Sequence, residues 1–181
     1  MKLRLILVFA AAAALYCAIS SCSGSKEASS AKPSDAAQAT QTASTAPIIQ
    51  FTANNTKGQP QSSAEWFGKK PVVLNFWGTW CPPCRREIPD LVRLYKEYES
   101  KGMEIVGFAV KDMPDKVQEF ANTHDMGWVM LMANDQVLND YNVVNGVPTT
   151  IFLDRNGREI TRFIGAQSYE DFKPAFEAIL K

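Results

Sequence analysis

The chain has 181 residues, of which 46% are hydrophobic and 21% charged. That is enough for one domain with a real core and spare length at an end, and too apolar for a disordered chain or a coiled coil. Lys plus Arg and Asp plus Glu both number 19, so no excess of positive charge points to nucleic acid as a partner.

At the N-terminus, Lys2 and Arg4 precede Leu5–Ile19, an uncharged apolar run of 15 residues. The order of charge then apolar run is that of a secretory signal, and the run is shorter than the roughly 20 residues that span a bilayer comfortably. Ser20 and Ser21 then lead into Cys22, which resembles a bacterial lipobox with Ile19 where Leu is usual. Residues 1–21 are therefore expected to be a signal peptide and Cys22 the lipidated first residue of the mature chain. The protein is expected to be an exported, membrane-anchored lipoprotein facing the periplasm or the cell exterior. A simple cleaved signal and an uncleaved anchor are the alternatives. Removing residues 1–21 leaves 17 basic against 19 acidic residues, too close to balance to name a partner.

This sorts the four cysteines. Cys17 goes with the signal, Cys22 is acylated, and Cys81 and Cys84 remain as thiols of the folded part. Residues 23–46 are dominated by Ser, Ala and Thr and carry no large apolar side chain. Such a stretch cannot offset its ordering entropy, so 22–46 reads as a flexible tether with a reach of roughly 25–30 Å. The folded domain is expected over 47–181.

Within it, Ile48–Asn54 reads as a strand, Asn55–Pro60 as a turn and Ser62–Gly68 as a short helical turn. Pro71–Trp77 is a near-continuous apolar run, as a central strand covered on both faces should be. Ile88, Leu91, Val92, Tyr95 and Tyr98 recur with helical spacing, and Gly102 ends that helix. A strand over Met103–Val110, a helix opened by Pro114, a short strand over Trp128–Met132 and a helical turn from Asp135 follow. A strand is entered through Pro148, and Asn156-Gly157 predicts a two-residue hairpin into Arg158–Gly165. The chain closes as a helix with Ser168 as cap and Asp171 completing a capping box. Strands alternating with helices, with a hairpin late, predict an α/β fold: a mixed sheet with helices on both faces.

Cys81-Pro82-Pro83-Cys84 stands between the apolar strand and the long helix. At a helix start, backbone N–H groups and the helix dipole stabilise a thiolate, so Cys81 is the expected attacking group. Cys84 lies one turn further in and is the expected resolving thiol. Pro82 and Pro83 fit a first helical turn, where the missing N–H has no intrahelical partner, and they stiffen the link. A zinc site needs about four ligands, and the mature domain offers these two cysteines and His124. Haem attachment needs His where Arg85 stands. A purely structural disulfide remains as an alternative, although closing so short a loop stabilises little. No cofactor is expected beyond the redox-active pair, and no metal.

The stretch Phe76-Trp77-Gly78-Thr79-Trp80-Cys81-Pro82-Pro83-Cys84-Arg85-Arg86-Glu87-Ile88-Pro89, with Gly146-Val147-Pro148-Thr149 later in the chain, resembles the thioredoxin superfamily. Within it, the chain is similar to membrane-anchored thiol-disulfide oxidoreductases of the TlpA and ResA type, including the reductants of cytochrome c maturation. The resemblance covers about Pro47–Lys181. It implies a thioredoxin fold with an N-terminal extension and a central insertion around Asp112–Tyr141. It implies that Pro148 is the family's cis-proline, its loop with Val147 offering backbone groups to an extended substrate. The plainer alternative is that Pro148 only begins a strand. It also implies that Glu87 lies inward with Cys84 and exchanges a proton with it. The alternative is a surface acid paired with Arg85 or Arg86. Asn75 stands where cytoplasmic-type thioredoxins have a buried Asp, and it cannot titrate. Trp80 is expected to shield the sulfur and present a flat contact surface, or else merely to pack.

The function implied is reduction of disulfides in client proteins, apocytochrome c among them, with re-reduction by a membrane electron donor of the thiol-reducing type. Two other classes compete. A thiol peroxidase of the peroxiredoxin type places Thr three residues before its reactive Cys, where this chain has Gly78. A non-catalytic surface lipoprotein would use the fold only for binding.

Overall fold

The computed structural model describes residues 48–181. The expected signal peptide, the acylated Cys22, the tether and Pro47 lie outside the described residues. Within them, five strands form one mixed sheet in the order β5-β4-β3-β6-β7. The strands are β3 (Val72–Trp77), β4 (Glu104–Ala109), β5 (Val129–Met132), β6 (Thr149–Leu153) and β7 (Glu159–Ile164). β3, β4 and β5 run parallel, whereas β6 and β7 are antiparallel additions. Two short strands, β1 (Thr52–Asn54) and β2 (Pro60–Ser62), form a separate antiparallel pair. The helices are α1 (Pro82–Tyr98), α2 (Pro114–Thr123), α3 (Asp135–Asp140) and α4 (Tyr169–Ile179). Among the described residues no helix is long and apolar enough to cross a membrane.

All six residues of β3 are buried, and strand alternation divides them between two cores. Val73 and Trp77 join α1, α2 and α4 through Ile88, Leu91, Leu94, Val117 and Phe176. Val72, Leu74 and Phe76 face the other way, against Phe51, Trp66, Phe108, Val137 and Tyr141. The N-terminal extension and α3 therefore cover the face that α1 and α4 leave open. Phe108 lies between two other rings of that layer, stacked 5.0 Å from Phe76 and edge-on at 5.0 Å to Phe51. By the same alternation, Asn75 is the one polar residue that β3 turns toward α1.

The expected strand from Ile48 is shorter than its apolar pattern implied. Phe51 gives its N–H to the Ser63 side chain and its carbonyl to the Ser63 N–H, so the ladder stops there. Ile49 is held instead by the Tyr141 hydroxyl at 2.7 Å. The hairpin also differs from expectation. Asp154 N–H donates to the Arg158 carbonyl and Gly157 N–H to the Asp154 carbonyl, so the loop holds three residues, not two. The reason is the Asp154 carboxylate, which accepts from Asn156 and Arg158 N–H groups and closes the turn one residue earlier. Only Gly157 then needs the left-handed region, at φ +84. The capping box of Ser168 and Asp171 is present, and α1 ends through a short 3-10 turn at Gly102 with φ +89.

Replacing Phe108 by Ala empties the space between Phe76 and Phe51, and the expected cost is about 3–5 kcal/mol. Urea unfolding of the variant checks it, with Lys57→Ala in the exposed turn as a control that leaves the midpoint unchanged.

Candidate active site

Cys81 caps the N-terminus of α1 in an extended conformation, and its sulfur accepts the Cys84 N–H at 3.3 Å. Pro82 and Pro83 occupy the first helical positions. The first backbone bond of the helix runs from Arg85 N–H to the Cys81 carbonyl at 3.1 Å. Cys81 and Cys84 form a disulfide with Cα atoms 5.3 Å apart, and both residues are buried. Among the described residues no group of three or more His, Cys, Asp or Glu is placed to hold a metal ion. His124 caps the end of α2 and stacks on Phe120.

The Val147–Pro148 bond is cis. The Val147 carbonyl oxygen lies 3.7 Å from the Cys81 sulfur. Pro148 also leads directly into β6, so both readings of it describe the same residue. Its carbonyl accepts from Gly165 N–H at 2.9 Å, which ties the loop to the end of β7.

Trp80 is more than half exposed, and its indole N–H donates to the Val110 carbonyl at 3.0 Å. The ring lies back over Gly78, where a Cβ would stand 2.7 Å from the indole nitrogen. Asp112 locks the same turn, accepting from the Thr79 N–H at 2.6 Å and the Thr79 hydroxyl at 3.0 Å. The β4–α2 loop thus holds the approach to the dithiol in place.

Glu87 is buried at 1% exposure, one turn beyond Cys84. The alternative of a surface acid paired with Arg85 or Arg86 therefore does not hold. Asn75 Nδ2 donates to one carboxylate oxygen at 3.0 Å and to the Thr150 hydroxyl at 3.0 Å. The Gln167 N–H donates to the other oxygen at 3.3 Å. Burial dominates these two neutral hydrogen bonds and raises the Glu87 pKa from 4.5 to about 8. The sequence reading singled out Asn75 and Glu87 but not the contact between them, and it missed Thr150, Gln167 and Asp112. Thr150 had a legible signal: it pairs with Asn75 across β3 and β6 and is a polar residue on a buried strand. Gln167 contributes its backbone, which no side-chain pattern discloses.

A parallel βαβ unit with an antiparallel hairpin and a closing helix, carrying a disulfide at the first helix start beside a cis-proline loop, defines a thioredoxin-like protein of disulfide chemistry. Residues 44–160 match the AhpC/TSA family. The thiol-disulfide oxidoreductase ResA of Geobacillus kaustophilus is 38% identical over 137 residues, covering 75% of this chain and 76% of that protein. A thioredoxin-family thiol:disulfide interchange protein of Chlorobium tepidum superposes with TM-score 0.68 at 32% identity, covering 80% of this chain and all of the other. A secreted disulfide oxidoreductase of Mycobacterium tuberculosis, described as homologous to Escherichia coli DsbE, gives TM-score 0.62 at 28% identity, covering 71% and 95%. The chain belongs to the AhpC/TSA family and is a thiol-disulfide oxidoreductase, similar to ResA, whose substrates contain disulfides.

The raised Glu87 pKa makes a stability prediction. The folded protein holds this proton from about pH 4.5, where the unfolded chain loses it, up to about pH 8. Stability is therefore highest below that window and falls as pH rises through it, by on the order of a few kcal/mol. Glu87→Gln removes the titration. Denaturation of the oxidised protein across pH 4–9 is expected to give a flatter profile for the variant and a gain over the parent above pH 8.

Proposed function

We propose that the protein is an exported, lipid-tethered reductase of disulfides in client proteins. The observation that carries this is the Cys81–Cys84 disulfide at the α1 start, with a buried, proton-retaining Glu87 one turn behind. In the reduced state the Cys81 thiolate, favoured by the helix terminus, attacks a client sulfur and releases the other client sulfur as a thiolate. Where Glu87 is ionised, Cys84 passes its proton to the carboxylate and attacks the Cys81 sulfur. The second client sulfur leaves, and the cycle has moved two electrons to the client. Glu87 retains the proton while the enzyme is oxidised, which its raised pKa favours at neutral pH, and returns it to Cys84 when a membrane dithiol donor re-reduces the pair. The extended client lies along the Val147–Pro148 loop, with Trp80, Pro82 and Pro83 as its contact surface.

Export and anchoring rest on residues 1–21 as signal and on Cys22 as the acylated residue. The M. tuberculosis neighbour is a secreted protein, which supports export. The similarity to ResA supports disulfide reduction in client proteins; apocytochrome c thiols are the favoured client by the sequence resemblance alone. Peroxide reduction is disfavoured because Gly78 stands at the threonine position of peroxidatic sites and the Thr79 hydroxyl is committed to Asp112.

Cys84→Ser removes the resolving thiol and is expected to accumulate clients as mixed disulfides on Cys81, lost again in the Cys81→Ser, Cys84→Ser double variant. Mass spectrometry of the trapped species identifies the client. No adduct with any exported protein would overturn the reading, as would a dithiol potential near about −120 mV, the range of strong oxidants.

A further inference from the structure

The cluster beneath the dithiol contains one group to which the exchange reaction assigns no role, the Asn75 amide. Asn75 is fully buried. Its Nδ2 serves both Glu87 and Thr150 at 3.0 Å, while its Oδ1, also buried, has no hydrogen-bond partner. Folded proteins generally satisfy buried oxygens, so an orphan acceptor on the very amide that holds a buried carboxyl calls for a reason.

That reason lies in what Glu87 needs in its two states. As a carboxylate it needs donors, and it has them in Asn75 Nδ2 and the Gln167 N–H. As a neutral acid it carries one O–H that needs an acceptor. The Gln167 N–H can only donate. A half-turn of the Asn75 amide puts Oδ1 where Nδ2 stands, and an amide oxygen has two acceptor sites. Those sites match the Glu87 O–H and the Thr150 hydroxyl, which can donate as readily as accept. The swap exchanges a double donor for a double acceptor at one point, with no other heavy atom displaced.

We propose that Asn75, backed by Thr150, is a positioning residue that lets Glu87 hold either protonation state by turning its amide from donor to acceptor. The proposal rests on the reading of Glu87 as proton carrier. Aspartate at this place could not donate to the Glu87 carboxylate, and an aliphatic residue could neither donate nor accept. Arg85, Arg86 and Asp90 of α1 are not buried, and no charged group among the described residues contributes to the Glu87 pKa. Val73 and Trp77 of β3, Phe152 of β6, and Cys84, Ile88 and Leu91 of α1 are among the buried residues of this core layer. Only the Asn75 and Gln167 hydrogen bonds oppose burial in setting the Glu87 pKa.

The test is direct titration of Glu87 in the oxidised protein by carboxyl carbon NMR, with Glu87→Gln identifying its signal. The parent midpoint is expected near 8. Asn75→Ala removes a charge-assisted donor to the carboxylate and a weaker, neutral acceptor of the acid, so the net expectation is an upward move of the midpoint by about one pH unit. Thr150→Val keeps the shape of the strand but frees the amide, and an upward move smaller than that is expected. The pH profile of mixed-disulfide resolution is expected to follow the same midpoints. Variants that lose stability while the Glu87 midpoint stays at the parent value would show a merely structural Asn75 and overturn the proposal. Because Thr150→Val perturbs packing little, that outcome can be read even where Asn75→Ala does not fold. A parent resolution rate indifferent to Glu87→Gln instead overturns the proton-carrier reading, whatever the midpoints do.

Discussion

The site depends on a carboxyl group buried at the centre of an apolar layer with only neutral partners. Ionised carboxylates leave water at a large cost unless something charged or strongly polar receives them. Glu87 has two neutral hydrogen bonds and no cation, so its proton is retained far above the ordinary carboxylate range. That tension is tolerable because the rest of the layer is rigid and well packed. Ile88, Leu91, Leu94, Phe152, Phe172 and Phe176 are all essentially without exposure. A loosely packed layer would admit water and return the group toward its usual pKa.

The sheet topology determines where this group can sit. β3 is the point at which the sheet changes character, with a parallel neighbour on one side and an antiparallel one on the other. In open α/β sheets, the crevice beyond the carboxyl end of such a strand is where sites form. α1 begins there, so its unpaired N–H groups and dipole meet the dithiol, while its third residue past Cys84 reaches the sheet. β6 returns from the other side and brings Pro148 to the sulfur and Thr150 to Asn75. One strand junction thus brings together the disulfide, the cis-proline loop and the buried carboxyl to which the proposed cycle assigns attack, client contact and proton transfer. The N-terminal hairpin and α3 complete the arrangement from behind, because a sheet carrying helices on one face alone would expose Phe76 and Phe108.

Much of this was legible in the residues. Short apolar runs located the strands of the main sheet, since Pro71–Trp77 and Met103–Val110 are near-continuous stretches of strand length bounded by turn signals. The helix start was legible because Pro82 and Pro83 tolerate little else. What escaped was polar and backbone detail. The Asp154 carboxylate out-competed the Asn156-Gly157 signal, since a side chain accepting two N–H groups outweighs the turn preference of a dipeptide. Ile48–Phe51 had strand composition, but its hydrogen bonds went to Ser63 and Tyr141 instead of a ladder. Asp112 acts on Thr79 across 33 residues, and such a bond leaves no mark in local pattern. Glu87 was assigned inward by resemblance, because its spacing on α1 alone fits a buried face or a rim.

The departure at position 75 has a physical logic of its own. Thioredoxin-like proteins with a buried Asp in this strand place a titrating group on the sheet side of the dithiol. Here the titrating group comes from the helix, and the strand contributes a neutral amide. If both positions carried carboxyls, their mutual repulsion in a low-dielectric layer would force one to stay protonated and couple the two titrations. With Asn75 neutral, the strand gives Glu87 no titrating partner, and the proposed cycle exchanges its proton with Cys84 one turn away on α1. In that proposed cycle, exchange with a client draws no proton from solvent at Cys84, which suits a dithiol whose two cysteines are buried when oxidised.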